Sequence, residues 1–411
     1  MTSRRVFLKS GALTMLSLGF APSFLARAAA ATATRKRLLI AIFQRGAVDG
    51  LNMIVPFGEA EYYRLRPKIA VPPPTGGGAD TRAIDLDGFF GLHPRMAALK
   101  PLWDNHSLAI VHACGSPDAT RSHFDAQDYM ETATPGVKAT RDGWLNRYLR
   151  ASGEPAPLRG VAIARQMPRS LQGTAPALAF PAIDTFTVRG GAAAERDFQQ
   201  AFEHASDPLL TGGARAAFEA MRVLRSATGG EYRPASGVKY PRSPFGQALQ
   251  EIARLAKADV GLEVAFAESA GWDHHVNEGS VDGQLATRLD DLSRGIAALA
   301  ADLGDHLADT VILTMSEFGR AAAENGNAGT DHGHGNAMML VGGPVQGGAV
   351  YGKWPGLGPA QRFEGRDLAV TTDFRDVFSD VVTKHLGLAS DAAARVFPGF
   401  TRGASLGVVR S

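Results

Sequence analysis

Short apolar runs, each ending in a polar loop and separated from the next by a helical stretch, restrict the fold of this 411-residue chain more than any other feature. The runs lie at 37–43 (RLLIAIF), 107–113 (SLAIVHA), 160–165, 177–180, 261–267 (GLEVAFA), 310–314 (TVILT) and 337–341 (AMMLV). Runs this short and this rich in Leu, Ile and Val read as strands buried on both faces. Between them the apolar residues take helical spacing over 94–103, 123–132, 214–228, 245–259, 285–303 and 373–386. Strands that alternate with helices predict an α/β domain with a largely parallel sheet covered on both faces. In such sheets ligands bind at the carboxyl ends of the strands. The loops that follow these runs hold Asp49, Thr120, Ser122, Asp273, His275, Glu317, Asp331, His332 and His334.

The densest of these loops is Gly329-Thr330-Asp331-His332-Gly333-His334-Gly335-Asn336. It places one carboxylate and two imidazoles within four residues, and its glycines let the backbone approach a ligand closely. Asp and His together form a natural shell for a divalent ion such as zinc, manganese or calcium. Ser122 stands where the helix 123–132 should begin, with Asp125 three residues on, a capping-box-like pair. A hydroxyl at that position either caps the helix or attacks a substrate held by the helix N-terminus. Arg121 beside it could hold an oxyanion or pair with an acid. His274 and His275 are alternatives for one ligand position.

The N-terminus reads Ser3-Arg4-Arg5-Val6-Phe7-Leu8-Lys9, followed by an apolar run to about Leu25 and an Ala-rich stretch. This is the pattern of a twin-arginine signal peptide over residues 1–30, with the remainder, 31–411, expected to form a single domain. Its apolar run is too short for a comfortable membrane span. No later segment is long and apolar enough to span a bilayer. The reading places the mature protein in the periplasm or outside the cell, with the twin-arginine translocase as a partner. Four basic residues and no acid fall in 1–30, which leaves 39 basic and 41 acidic residues beyond it. A near-neutral chain has no basic footprint for nucleic acid. The single cysteine, Cys114, excludes an intramolecular disulfide. Gly and Pro punctuate an expected helical insertion over 185–240, with helices at 192–210 and 214–228, a candidate cap over the site.

The order of these residues resembles the alkaline phosphatase and sulfatase superfamily: an Asp after the first strand, a hydroxyl at a helix start, an Asp/His pair, an acid and then a late His. The strings Arg45-Gly46-Ala47-Val48-Asp49-Gly50-Leu51-Asn52, Arg121-Ser122-His123-Phe124-Asp125-Ala126-Gln127, Gly271-Trp272-Asp273-His274-His275, Ser316-Glu317-Phe318-Gly319-Arg320 and Thr330-Asp331-His332-Gly333-His334-Gly335-Asn336 are similar to those of the exported domain-of-unknown-function family 1501. The resemblance covers roughly residues 36–400. It implies a three-layer sandwich with a largely parallel central sheet. It also implies a metal held by Asp49, Asp273, His275, Glu317, Asp331, His332 and His334. Catalysis would fall to Ser122 or Thr120, with His123 and Arg121 beside them. Where phosphatases carry an Asp-His pair, this chain has Glu317-Phe318, so one ligand must come from elsewhere, with Asp331 as the candidate. Cys114 does not fit the sulfatase modification motif and reads as an inert buried thiol.

Three readings follow. The chain is a metal-dependent hydrolase of phosphate or sulfate esters, small-molecule or glycan, that attacks through Ser122 or Thr120. Alternatively it is such a hydrolase attacking with water, or a non-catalytic binding or envelope-assembly protein that keeps the fold. The resemblance further implies a second exported protein as partner.

Overall fold

The computed structural model describes residues 37–410, apart from 155, 157 and most of 187–207. Arg37 onward forms one compact unit. The expected signal peptide, 1–30, and the expected helix 192–210 lie outside the described residues, except for the last residues of that helix.

The main sheet has nine strands: β1 (Leu38–Arg45), β2 (Leu108–Gly115), β3 (Gly160–Ile163), β4 (Leu178–Phe180), β5 (Val264–Ala270), β6 (Thr310–Met315), β7 (Asn336–Val341), β8 (Ala349–Tyr351) and β9 (Thr372–Asp373). Their spatial order is β8-β2-β7-β6-β1-β5-β3-β4, with β9 also paired to β2. Every pairing is parallel except the two made by β7. All seven runs read from the sequence are strands. The two short strands β8 and β9 carry too few apolar residues to show a pattern. A separate three-stranded sheet pairs Ile54–Val55, Gly91–Leu92 and Ile84–Asp85.

The apolar runs are continuous because each strand feeds two cores. In β1, Leu38, Ile40 and Ile42 face one cluster, and Leu39, Ala41 and Phe43 face the other. Successive side chains of a strand point to opposite faces, so a strand covered on both sides needs apolar residues throughout. Helices α1 (His123–Thr132), α2 (Trp144–Ala151), α3 (Pro208–Ala227), α4 (Pro244–Lys257), α5 (Gln284–Leu303) and α6 (Phe374–Asp380) accompany the sheet. The first core receives Leu249, Ile252 and Leu255 from α4 and Leu289, Leu292 and Ile296 from α5. The second receives Trp144 and Leu145 from α2 and Phe374 and Phe378 from α6, with Trp144 stacked on Phe378 at 4.4 Å between centroids. The architecture is therefore mixed α/β in three layers. None of the described helices is long and apolar enough to cross a membrane.

The sheet register puts the polar loops on one edge. Phe43 is level with Met315, Arg45 with Ala270, and Asn336, the first residue of β7, with Cys114 near the end of β2. Because β7 runs antiparallel, the loop before it lies on the same edge as the loops after β1, β2, β5 and β6. The His-rich loop thus meets the others from the opposite chain direction. Gly333 and Gly319 make that meeting close: Gly333 N donates to Gly319 O at 2.8 Å and Gly319 N to His334 O at 2.9 Å. A Cβ on Gly333 would lie 2.2 Å from the Arg320 carbonyl carbon, and one on Gly319 would lie 1.9 Å from Gly335 O.

Two histidines lie in the core. His385 is buried, with Nε2 on Leu38 O at 2.9 Å, because the chain after α6 tucks under the start of β1. His112 does not reach the loop edge. It is buried in the core with Nε2 on Ile54 O, stacked on Phe90.

Candidate metal centre

Three imidazoles and one carboxylate converge where the loop edges meet. His123 opens α1, Asp273 and His275 follow β5, and His332 precedes β7. His123 Nε2 lies 3.0 Å from His332 Nε2, and His275 Nε2 lies 2.9 Å from the same atom. Asp273 Oδ1 sits 3.0 Å from His275 Nε2, 3.2 Å from His332 Nε2 and 3.4 Å from His123 Nε2. Ligand atoms of His123, Asp273 and His332 all fall within 4.8 Å of one another, the only such acidic or His/Cys group among the described residues.

The other ring nitrogen of each histidine decides what this convergence means. His332 Nδ1 faces the Arg121 carbonyl at 2.8 Å, and a carbonyl only accepts, so Nδ1 carries the hydrogen. His123 Nδ1 faces Glu317 Oε1 at 2.9 Å, and His275 Nδ1 faces Asp331 Oδ1 at 3.5 Å. With Nδ1 protonated, each neutral imidazole turns its Nε2 lone pair toward the others and toward a carboxylate oxygen. Lone pairs meeting at 3 Å repel unless a cation lies among them, and a proton or a metal ion can serve. Ring N–H groups held by carboxylates and a backbone carbonyl are the arrangement that orients histidines around a metal. The donor set therefore fits a divalent ion. Three imidazoles and one carboxylate suit zinc or manganese, whereas calcium takes oxygen ligands.

The surroundings keep the acids ionised. Burial pushes the Asp273 carboxyl up, but Arg320 outweighs it and pulls it down to about 2. Arg320 is fully buried and donates to Asp273 Oδ1 at 2.5 Å and to the carbonyls of Ala47, Gly46 and Trp272. Glu317 is also fully buried. Burial again works against ionisation, but hydrogen bonds from His123 and Gln127 hold it below the usual carboxylate range. The bond to Glu317 in turn raises His123, while burial lowers His332.

The residues singled out in the sequence divide accordingly. Asp273, His275 and His332 come together as ligand candidates. His123, read as a catalytic neighbour of Ser122, is the fourth member. Glu317 and Asp331 stand behind it rather than in it. Glu317 Oε1 already accepts from Gly46 N, Gln127 Nε2 and the His123 ring, and its Oε2 accepts from Ser316 Oγ. Asp331 accepts from Asn325 Nδ2. His334 is not part of the cluster, because its ring is buried against Phe363 with centroids 4.2 Å apart. Asp49 is not part of it either. It is buried, caps the turn Gly50–Met53 through Leu51 N, and has both carboxylate oxygens on the Arg66 guanidinium. His274 is buried away from the convergent ring nitrogens, and burial lowers it to about 4.

The Arg121 side chain pairs with acids: Asp367 Oδ2 lies 2.5 Å from Nη2 and Glu364 Oε2 lies 2.7 Å from it. That leaves its guanidinium engaged rather than free for an oxyanion. Ser122 is the N-cap residue of α1, yet its side chain makes no capping bond, so the capping-box expectation is not met. Thr120 Oγ1 accepts from Ser122 N at 3.2 Å.

Sequence reasoning missed Arg320 and Arg66, the two buried cations that hold Asp273 and Asp49. Arg320 closes the motif Ser316 to Arg320, and an arginine there beside a strand-end acid is the available signal. Arg66 carried none.

Glu317→Gln is expected to weaken zinc binding by about 10–100-fold without unfolding the protein, because the amide no longer fixes His123 Nδ1–H as strongly. Competition with a chromogenic chelator measures this directly, and an unchanged affinity would show that Glu317 does not orient His123.

Comparisons with known proteins give a family and distant structural likenesses. No curated protein matches the sequence. Among solved structures, the chain is similar to the zinc complex of the C-terminal periplasmic domain of EcEptC from Escherichia coli, with 11% identity over 90% of this chain and 89% of that one and a TM-score of 0.39. It is similar to PsFucS1 sulfatase from Pseudoalteromonas sp., with 13% identity, 94% and 75% coverage and a TM-score of 0.34. It is also similar to alkaline phosphatase from the Antarctic bacterium TAB5, with 9% identity, 76% and 93% coverage and a TM-score of 0.32. The family described as protein of unknown function (DUF1501) matches residues 36–394, and the chain belongs to it.

Proposed function

We propose that this protein is a metal-dependent hydrolase of phosphate or sulfate esters. The observation that carries the proposal is the convergence of three histidine Nε2 atoms on Asp273 Oδ1, each ring held by an acceptor at Nδ1. A divalent ion bound there would polarise an ester oxygen as a Lewis acid. His123, Asp273, His275 and His332 would hold it, and Arg320 would keep Asp273 ionised.

The protein groups next to the cluster suit an anionic ester. Ser122 precedes the ligand candidate His123, at the start of the ten-residue helix α1. The first N–H groups of a helix lack intrahelical partners, and the dipole there favours negative charge. A hydroxyl not engaged in capping stands beside that positive end, which supports Ser122 as the attacking group. Thr120 is bonded to the Ser122 backbone and serves as a positioning group for it. On this reading the protein works in the periplasm or outside the cell, after twin-arginine export directed by residues 1–30.

The test is turnover of aryl phosphates and aryl sulfates by zinc- or manganese-loaded protein, beside Ser122→Ala. If Ser122 attacks, the variant should lose about 1000-fold or more in kcat while keeping its metal. A variant that keeps most of its activity would make water the attacking group. A metal-loaded wild type inactive on both ester classes would favour the binding or envelope-assembly role.

A further inference from the structure

Helix α1 carries His123, Gln127 and Glu131 at intervals of four residues, so their side chains leave the same side of the helix. His123, the ligand candidate, stands at one end of that stripe. At the other end Glu131 is buried, and its Oε2 accepts from the backbone N and the hydroxyl of Ser170 at 2.9 and 3.0 Å. Arg45, the last residue of β1, runs beside the stripe. Its Nη1 donates to Gln127 Oε1 at 2.8 Å and its Nη2 to Glu131 Oε1 at 3.1 Å. Its Nε lies 3.1 Å from Glu268 Oε2 on β5, and its guanidinium covers the Phe43 ring at 4.3 Å from the centroid. Gln127 Nε2 completes the line by donating to Glu317 Oε1 at 2.8 Å, the oxygen that also faces His123 Nδ1 at 2.9 Å.

These partners leave the Gln127 amide one orientation. An arginine only donates, so the amide atom facing it is the oxygen, and the NH2 group is left for the carboxylate. We propose that Gln127, oriented by Arg45, is a positioning residue of the metal centre. It fixes Glu317 Oε1 at the point where that oxygen holds His123 Nδ1–H, which leaves His123 Nε2 free for an ion. The inference rests on the metal-centre reading and adds to it two residues that touch neither the ion nor any ligand candidate.

The need for such a support follows from the ring itself. Phe318 lies against His123 with centroids 4.9 Å apart, but an apolar neighbour does not distinguish an imidazole from the same ring turned over. Only the polar partner at Nδ1 does, and that partner is one carboxylate oxygen. Two elements bracket this oxygen: Gly46 N at the end of β1 donates to it at 2.9 Å, and Gln127 reaches it from α1. A strut that only tied α1 to β1 would need the bond between Arg45 and Gln127. The bond from Gln127 onward to Glu317 is the part that serves the centre.

The experiment compares the wild type with Gln127→Glu and Gln127→Leu. Gln127 is only partly buried, so both variants should fold, which circular dichroism checks. Gln127→Glu keeps an oxygen for Arg45 but sets oxygen against Glu317 where an N–H stood; Gln127→Leu removes both bonds. Zinc affinity is read by competition with a chromogenic chelator, and the His123 tautomer by long-range nitrogen–proton NMR of the zinc-free protein. Both variants should bind zinc about tenfold more weakly, the lower end of the effect for groups that orient a metal-bound histidine. His123 should be the Nδ1–H tautomer in the wild type and a mixture in both variants. Wild-type affinity and tautomer in Gln127→Glu, with loss only in Gln127→Leu, would make Gln127 a strut between α1 and β1 and overturn the proposal. Wild-type behaviour in both variants overturns it as well and leaves the metal centre standing. A wild type that takes up no zinc overturns the metal centre and this role together.

Discussion

Arg66→Ala is expected to destabilise the protein by about 3–5 kcal/mol, the range for removing one partner of a buried ion pair. The Arg66 side chain is fully buried, as is that of Asp49 to within a few per cent, and Arg66 donates to both Asp49 oxygens. It also donates to Asn52 Oδ1 and to the carbonyls of Ala321 and Ala322. Its loss leaves a carboxylate without a countercharge in an interior that already holds Glu278, fully buried nearby. The carbonyls it releases follow Arg320, so the support of Asp273 loosens as well. The double variant Arg66→Met/Asp49→Asn removes both charges and should recover much of the loss, because the cost lies in the unpaired ion rather than in the absent pair. Denaturant unfolding of the wild type, Arg66→Met, Asp49→Asn and the double variant closes the cycle. If Arg66→Ala proves as stable as the wild type, Asp49 has another partner and the first-strand acid must be reassigned.

Acidification is expected to have a comparably large effect. His93, His112 and His385 are buried, and burial lowers each ring to about 4 from an ordinary 6.5. Each accepts no proton in the folded state until pH nears 4, whereas the unfolded chain binds protons from pH 6.5 downward. Folding stability is therefore fully present above about pH 6.5, declines as pH falls toward 4, and stops declining from this source below 4. At 1.36 kcal/mol per pH unit, each ring accounts for about 3 kcal/mol, and together they approach the whole stability of an ordinary domain. Denaturant midpoints measured across this window should fall steeply. His385→Gln, whose amide can still donate to Leu38 O, should flatten about a third of that fall if the three rings contribute equally. A midpoint that is level from pH 6.5 to 4 would mean that these rings take up protons without leaving the core.

These expectations rest on features the sequence disclosed unequally. The seven main strands were legible because each feeds two apolar cores and so cannot hide its composition; RLLIAIF and AMMLV look alike for that reason. The placement of Asp273, His275 and His332 at one edge was legible too, since strand ends in such a sheet gather there. What each residue does was less legible, because a role is set by the partner facing it across the fold. Asp49 and Asp273 are both strand-end acids, yet one is closed off by Arg66 and the other opens toward three histidines. His332 and His334 sit two residues apart in one motif, where strict alternation would put both on one side, but the chain bends at His334, so one ring joins the cluster and the other packs on Phe363. His123 was read through its neighbour Ser122. Only its bond to Glu317, 194 residues away, turns its Nε2 toward His332.

The most direct test of the account is the zinc and manganese content of the protein, purified without chelator, beside His332→Ala. The account predicts one ion per chain in the wild type, lost in a variant that remains folded, because His332 Nε2 is the atom on which both other rings converge. Two folded proteins that both lack metal, and that take up none when zinc is added, would contradict it.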